Sequence, residues 1–439
     1  MTVMRLRRPS GGLWAHSDFL KLWTGQSISE FGSQVSGLAI PWVAAVVLHV
    51  RPFEFSLLGV FGVLPFLLFA LPAGVWVDRL RRRPILIAGD ASRAVLLATI
   101  PVSYAFGVLT IWQLLAVSFV FGIFTVFFDV AYMSYLPALV ERADLVDGNA
   151  KLDLTVSVSQ VAGPSIAGAL IGAITAPYAV AVDAASFVVS AGFVMRMRHR
   201  EVLPERTEAE PKPAMVREVM EGLRFLLGHR WLRPIAACTG SANFFLSLTF
   251  SIFLLYLTRN LHLSSLEVGA VLAVGSFGSV TAALVSRRLQ RAIGVGRTIA
   301  FTPLLAVGVL AFPLAPRSFP LPALMLGDFL LGFNVVGYNV AQRSLRQAIT
   351  PERLQGRTNA AMRWLVWGTM PFGTLAGGGI ATAFSLRAAL WTGAIGLIFP
   401  ALPVILSSVR AIREMPGLEI PEPAPTITAP SPAAAGVDP

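Results

Sequence analysis

The chain has 439 residues, of which 55% are hydrophobic and only 13% are charged. Soluble globular proteins carry about 25% charged residues, so this composition excludes that class and indicates a protein of the lipid bilayer. The formal net charge of +11 would suit a nucleic-acid partner, unless the basic residues have another reason for their positions.

Apolar segments long enough to cross a membrane recur along the whole sequence. A helix needs about 17 to 25 such residues to span a hydrocarbon core of roughly 30 Å. We count twelve segments and predict an all-α membrane protein. Their approximate limits are 28–49, 55–77, 84–106, 109–136, 154–174, 177–195, 232–258, 266–286, 298–315, 321–342, 360–383 and 388–408. The first is too long and, at Glu30 and Gln34, too polar for a cleaved signal peptide.

The basic residues are distributed unevenly about these segments. All but four of the 35 Lys and Arg residues lie on one set of segment ends, and the exceptions are Arg51, Arg259, Arg317 and Arg387. Positive residues mark cytoplasmic loops, so we predict a multi-pass protein of the plasma or inner membrane with both termini in the cytoplasm. Because the charge serves topology, we expect the lipid bilayer and no nucleic acid as a partner.

A sequence repeat divides the chain into two halves. GIFTVFFDVAYMS at 122–134 returns as GFNVVGYNVAQRS at 332–344, so that Asn339 follows its counterpart Asp129 by 210 residues. Long repeats in apolar chains are typical of transporters whose two halves open alternately to each side of the membrane. We therefore predict two pseudo-symmetric six-helix bundles, at 1–195 and 231–409.

The remaining segments are polar. A cytoplasmic linker at 196–230 joins the bundles, and its stretch 216–227 has one apolar face at helical spacing, which predicts an amphipathic helix on the membrane surface. The end of the chain, 410–439, is rich in Pro and Ala and is expected to be a disordered cytoplasmic tail.

The loop after the second segment carries the most specific motif. It reads GVWVDRLRRRP and includes Gly74, Asp78, Arg79, Arg82 and Arg83. It closely resembles the Gly-x-x-x-Asp-Arg-x-x-Arg-Arg signature of the major facilitator superfamily. The resemblance implies a cytoplasmic gate whose contacts break when the halves rock apart, with Asp78 capping or pairing across the interface. Anchoring of the orientation is the alternative for the arginines from Arg79 to Arg83, and we accept it for Arg81 and Arg83.

A second motif lies in the fifth segment, where Gly163, Pro164 and Gly168 resemble the Gly-Pro-x-x-x-Gly motif of antiporters in this superfamily. Gly and Pro bend a helix and allow another backbone to approach closely, and ordinary small-residue packing is the alternative explanation. Further phrases over most of residues 19–408 resemble the branch that holds macrolide-efflux, siderophore-export and related drug:proton antiporters.

Acidic residues inside the membrane segments are the candidates for proton coupling, because an ionised side chain there costs at least about 2.5 kcal/mol and needs a partner or a wet cavity. Glu30 shares a helix face with Gln26 and Gln34, and Asp129 is replaced by Asn in the repeat. These two acids are the first candidates. The alternative for Glu30 is a structural carboxylate tied to a neighbouring helix, and the alternative for Asp129 is a pair with arginines at nearby helix ends. Asp183 and Asp328 lie nearer the outer ends and are expected at an outer gate or cavity rim.

Other polar residues are assigned to the cavity or to helix pairs. We expect Gln26 and Gln34 to line the cavity, together with Asn243, Asn334 and Asn339. Asp90 and Arg93 lie one helical turn apart in the third segment and are expected to pair with each other or with the gate.

The sequence offers no support for an enzyme. It has no Gly-Lys-Ser/Thr phosphate loop, its five histidines lie in terminal or loop positions without metal-ligand spacing, and Cys238 has no disulfide partner. We expect no metal and no cofactor, with the proton-motive force as the energy source.

These observations predict a monomeric secondary transporter that exports amphipathic small molecules, such as drugs, macrolides or siderophores, in exchange for protons. A solute:proton symporter and a non-transporting membrane sensor with the same fold are the alternatives. The sequence leaves open the cargo, the stoichiometry and the acid that carries the proton.

Overall fold

The computed structural model describes residues 12–77, 79–198 and 215–414, and it is almost entirely helical. The long helices of the first half are α1 (Ser17–Trp42), α2 (Pro52–Val77), α3 (Arg82–Ala105), α4 (Ile111–Leu139), α5 (Leu145–Ile174) and α6 (Ala176–Met195). A π-helical turn, Val43–Val47, continues α1. Most of the predicted tail, residues 415–439, and most of the N-terminal basic segment lie outside the described residues, whereas Ile412 at the start of that tail is buried and accepts a hydrogen bond from the backbone of Gly296.

The second half begins with the short α7 (Met215–Gly228), followed by α8 (Leu232–Arg259) and α9 (Ser265–Ile293). The next span, Val295–Leu314, contains α10 (Val295–Phe301), a 3-10 stretch (Thr302–Leu310) and α11 (Ala311–Leu314). After it come α12 (Leu321–Ile349) and α13 (Glu352–Ala383), and the last span, Leu386–Ile405, contains α14 (Leu386–Gly396) and α15 (Leu402–Ile405).

Within the described residues, ten helical stretches are long and apolar enough to cross a membrane. The other two predicted segments also form long helices, α1 with 26 residues and α13 with 32, but their sequences are more polar. Both begin well before the apolar segment that predicted them, because polar turns extend the helix and a hydropathy pattern cannot register such turns. The prediction of a many-helix membrane protein is therefore confirmed.

The sequence repeat is visible in two matching helices. Helices α4 and α12 each contain 29 residues, and both the start and the end of α12 lie 210 residues after those of α4. Asp129 and Asn339 consequently occupy the same position along their helices.

Helix packing is mostly within each half of the chain. In the first half α1 packs on α5 and α6, α3 packs on α4 and α6, and α2 packs on α4. In the second half α8 packs on α13 and α14, and α12 packs on α9. The most extensive contacts between the halves join α2 with α13 and α5 with α9, and α8 also contacts α2 and the π-helical turn.

The two ends of the helices differ in charge and in the contacts between halves. We call the end that carries Arg51, Arg259, Arg317 and Arg387 the Arg51 side, and the opposite end the Arg82 side. Three helices that begin on the Arg51 side, α4, α9 and α14, are capped by hydroxyls, because Thr110, Ser264 and Ser385 accept hydrogen bonds from the backbone of the first turn. The largest buried apolar cluster includes residues of both halves.

Helix α7 docks on the second half of the chain. The side chain of Leu226 is fully buried in a cluster with Leu232 and Ile235 of α8, and Gly222 packs against the backbone of Arg357 in α13. Arg357 also pairs with Glu221. The apolar face of α7, which the pattern assigned to the membrane surface, is therefore covered in part by α8 and α13.

Candidate functional site

Two adjoining cavities lie between the two halves of the chain. The upper cavity, nearer the Arg51 side, has a volume of about 420 Å³ and is lined from α1, α2, α4 and α6 and from α8, α9 and α13. The lower cavity has a volume of about 710 Å³ and is lined from α1 and α5 and from α8, α9, α12 and α13. Phe250 and Leu272 contribute to both walls, so the cavities share a boundary.

The lining of these cavities is apolar, aromatic and acidic. Phe55, Phe121 and Phe253 add to the aromatic wall of the upper cavity. Among the described residues that line either cavity, the charged side chains are Asp183 in the upper one and Asp328 in the lower one. An apolar surface with a few fixed polar groups suits an amphipathic molecule.

Asp328 is buried at the wall of the lower cavity, with 6% of its surface exposed. Its carboxylate occupies the space over Gly275 of α9, where any side chain would overlap it. The sequence predicted Asp328 at an outer gate or cavity rim, and the structure places it in the wall of the lower cavity.

The predicted polar lining is divided among several sites. Gln34 and Asn243 face the lower cavity. Asn334 and Asn339 line a small pocket of about 60 Å³ within the second half, which Asn243 also contacts. Glu30 and Gln26 line a separate pocket of about 250 Å³ between α1, α4 and α5, which we call the inner pocket. Here the Oε1 atom of Glu30 accepts a hydrogen bond of 3.4 Å from the Ser159 hydroxyl.

The predicted pair of Asp90 and Arg93 is confirmed, since the guanidinium donates to the Asp90 carboxylate at 2.5 Å. The guanidinium also lies over the rings of Phe128, at 4.0 Å, and Phe187, at 4.3 Å. Sequence reasoning missed this arrangement, because Phe187 is distant in the chain and no local pattern indicates that it meets α3.

The other acids of the first half lie close to this ion pair. The charges of Asp129 and Asp183 both act on Arg93. Asp183 is fully buried, accepts a hydrogen bond of 3.0 Å from Ser186 and packs against Gly32 of α1. Of these acids Asp183 is fully buried, whereas Glu30 and Asp129 are half-buried. All three act on the charge of Arg93, so three of the predicted proton candidates lie around one buried ion pair.

Close contacts between the halves are found on the Arg51 side. Arg259 donates two hydrogen bonds across the interface, to the carbonyl of Ala45 at 3.1 Å and to that of Val50 at 2.8 Å. The backbone nitrogen of Phe53 donates to Thr382 at 3.1 Å. These bonds join the π-helical turn and the start of α2 to the ends of α8 and α13.

The glycine and proline motif of α5 forms part of this closed interface. Gly168 packs on the backbone of Ser265, and the carbonyl of Pro164 packs on Gly269, both in α9. Gly163 packs instead against the Gln34 side chain of α1. The close backbone approach expected from the motif therefore occurs between α5 and α9.

The motif between α2 and α3 lies on the Arg82 side. Asp78 lies outside the described residues, Gly74 has open space at the position of a side chain, and Arg79 is exposed. The guanidinium of Arg83 donates to the carbonyls of Val194 at 3.3 Å and Met195 at 2.7 Å. Arg83 thus caps the end of α6 within the first half, and the gating role of the motif remains a prediction.

Comparison with known families identifies the fold and the class of protein. Residues 13–429 match the family described as transmembrane secretion effector. The multidrug efflux pump Tap of Mycolicibacterium fortuitum is 28% identical over 87% of this chain and 91% of its own length. The macrolide efflux protein A of Streptococcus pyogenes is 26% identical over 49% of this chain and 52% of its own length.

A solved transporter has the same fold. A bacterial homologue of the iron transporter ferroportin, in its inward-facing state, superposes with a TM-score of 0.67 at 16% identity, over 89% of this chain and 98% of its own. In its outward-facing state the TM-score is 0.53 at 17% identity, with the same coverage of 89% and 98%. The resemblance to efflux transporters of the major facilitator superfamily is confirmed by these findings. The chain belongs to the transmembrane secretion effector family of that superfamily, and it is a multi-pass membrane transporter and not an enzyme.

Proposed function

We propose that this transporter exports amphipathic small molecules in exchange for protons, by alternating access of the cavities between its two halves. The observation that carries the proposal is the pair of cavities itself. Their walls come from both halves, their surfaces are apolar and aromatic, and their charged groups among the described residues are acids. Relatives named for multidrug and macrolide efflux support the direction of transport.

The contacts between halves support an inward-facing conformation. Arg259, Gly168 and Gly269 hold the halves together on the Arg51 side, which the positive-inside rule places outside the cell. The higher TM-score against the inward-facing ferroportin homologue agrees with this orientation. In this conformation cargo would enter from the cytoplasm, and export would require the Arg51 side to open.

The architecture that we propose has twelve spans in two six-helix bundles, with both termini in the cytoplasm. Helices α1 and α13, whose sequences are more polar, would supply the two spans in addition to the ten apolar stretches. Their polar residues would be tolerated because they face the cavities or other helices. One chain would suffice as the functional unit, working as a monomer in the plasma or inner membrane without a cofactor.

Proton coupling would depend on the acids within the helices of the first half. Glu30 and Asp129 are the proposed carriers, because Glu30 faces a pocket and Asp129 lies close to the charges of Arg93 and Arg363. A carboxyl that changes its charge with its surroundings would link the proton gradient to the conformational change. Asp78, Arg79 and Arg82 would hold the Arg82 side shut in the opposite conformation.

The test is transport into everted membrane vesicles with a panel of lipophilic dyes and macrolides, with and without a protonophore. We expect accumulation that the protonophore abolishes and that Asp78→Asn strongly reduces. The double variant Glu30→Gln/Asp129→Asn should lose accumulation against a gradient. Gradient-driven accumulation by this variant at the wild-type level would refute the assignment of the carriers, and uptake in the opposite direction would support a symporter.

A further inference from the structure

A buried cation lies at the centre of the first half of the chain. The guanidinium of Arg93 is held between the rings of Phe128 on α4 and Phe187 on α6, and only 5% of the residue is exposed. Its ion-pair partner Asp90 is fully buried. Removing a charge from water so completely carries a large desolvation penalty, and two buried apolar residues would fill the same space without it.

Three more carboxylates act on this cation. They are Glu30 on α1, Asp129 on α4 and Asp183 on α6. The ring contacts explain why two of them are near, since Asp129 follows Phe128 directly and Asp183 lies one helical turn before Phe187. The helices α1, α3, α4 and α6 therefore each contribute one acid that interacts with the guanidinium of Arg93.

The charges of this cluster cannot all be present together. Asp90 neutralises Arg93, and each further ionised carboxylate would add a net negative charge close to the fully buried side chains of Asp90 and Asp183. Carboxylates that share a low-dielectric site do not ionise together, because like charges repel strongly there. Glu30, Asp129 and Asp183 therefore share their protons, and Arg93 stabilises whichever of the three is ionised.

The two ends of the cluster face different cavities. Asp183 lines the upper cavity between the halves, whereas Glu30 lines the inner pocket of the first half. The wall of the inner pocket also holds Asp153 and the Tyr132 hydroxyl, which is buried and has no hydrogen-bond partner among the described residues. From the second half of the chain, Arg363 of α13 also acts on Asp129.

We propose that Arg93 is the positioning residue of a proton relay that runs through the first half of the chain, from Asp183 in the upper cavity to Glu30 in the inner pocket. The Asp183 carboxylate takes up a proton from the outer side and passes it by way of Asp129 to Glu30. The Glu30 carboxyl then releases it into the inner pocket, and Arg93 balances the carboxylate that is ionised at each stage. The inference rests on the proposed proton coupling, and it leaves Asp328 to the cargo.

The test separates coupling from transport in proteoliposomes, with ethidium as the cargo. Downhill transport is measured along an ethidium concentration gradient, without a pH gradient. Uphill accumulation is measured against an ethidium gradient, with an imposed pH gradient. The informative variant is Asp90→Asn/Arg93→Gln, which removes both members of the buried pair, so that neither is left buried without the other. We expect it to retain downhill transport and to lose at least about tenfold in uphill accumulation.

Three further variants sharpen the test. Arg93→Gln alone leaves Asp90 buried without its partner and should also reduce the yield of folded protein. Arg93→Lys keeps the charge and should recover part of the uphill accumulation. Arg346→Gln is the matched control, because Arg346 is a buried arginine of the second half, 9% exposed, whose hydrogen bond goes to Gln342 and not to an acid. It should leave the ratio of uphill to downhill transport unchanged.

The outcomes are distinguishable. Wild-type uphill accumulation by the double variant would overturn the relay and leave Asp90 and Arg93 as a structural pair. Loss of downhill transport by a well-folded double variant would also overturn it, because the residues would then serve cargo movement. Wild-type protein that accumulates ethidium equally with and without the pH gradient would overturn the proposed proton coupling together with the relay.

Discussion

Replacement of Gly168 by alanine tests whether the contact between α5 and α9 holds the Arg51 side closed. A methyl group at Gly168 would lie 3.1 Å from the carbonyl carbon of Ser265 and 3.2 Å from the Cα of Gly269, and closer still to the Ser265 oxygen. All three atoms belong to the backbone, so no side-chain rotation can relieve the overlap. The two helices must separate.

The size of the effect follows from the cost of overpacking. An added methyl group in a tightly packed site typically costs about 1 to 3 kcal/mol. The penalty applies to the closed arrangement of the Arg51 side and disappears when that side opens. It should therefore shift the equilibrium between the two conformations by about 5- to 150-fold toward the open Arg51 side.

The assay is the distance between spin labels attached at two exposed loop positions on the Arg51 side, Arg51→Cys in the first half and Ser318→Cys in the second. Native Cys238 is buried and is replaced by alanine in the background. In Gly168→Ala we expect a larger population at long distance. Gly379→Ala is the control, because a side chain at Gly379 meets no atom within 4 Å. Identical distance distributions for Gly168→Ala and the control would refute the reasoning.

Three further predictions concern the cargo and helix α7. Asp328→Asn should raise KM for a cationic dye about tenfold and that for a neutral one far less, since only the cation loses a charge partner; equal changes would contradict this. Glu221→Gln should speed hydrogen exchange in α7 less than about tenfold, because Glu221 pairs with Arg357 at a half-exposed site, and a larger effect would show that we underestimate the pair. Burial and then the charge of Arg230 hold the pKa of His229 below its usual range, so its neutral form stabilises the fold above about pH 6.5 and that contribution is lost as the pH falls. Protection factors of the amides at the junction of α7 and α8, corrected for the intrinsic exchange rate at each pH, should be lower near pH 5.5 than near pH 7.5 in the wild type, and His229→Gln should remove the difference.

Much of the architecture was available from local properties of the sequence. Long apolar segments must become helices in a bilayer, because no other conformation of a single segment satisfies its backbone hydrogen bonds there. The sequence repeat, which is also a local pattern, accounts for the equal lengths of α4 and α12 at an offset of 210 residues. The pair of Asp90 and Arg93 could also be predicted, since a spacing of one turn brings two side chains together in any helix.

The functional arrangement depended on which helices meet. The sequence proposed Glu30 and Gln34 as one cavity stripe, but Glu30 lines the inner pocket and Gln34 lines the lower cavity, and α5 contacts both side chains. The placement of Arg93 between two rings, the closure of α5 on α9 at Gly168 and the docking of α7 on α13 likewise join residues far apart in the chain.

The sequence by itself determined the class of protein, the positions of the helices and the inventory of buried acids, because these depend on composition and on spacing within one helix. Only the tertiary structure decided which acids lie close to Arg93 and which acids line the two cavities between the halves. The physical reason is that burial, electrostatic interaction and close packing depend on distances in space, and helix pairing brings together groups whose separation along the chain carries no such information.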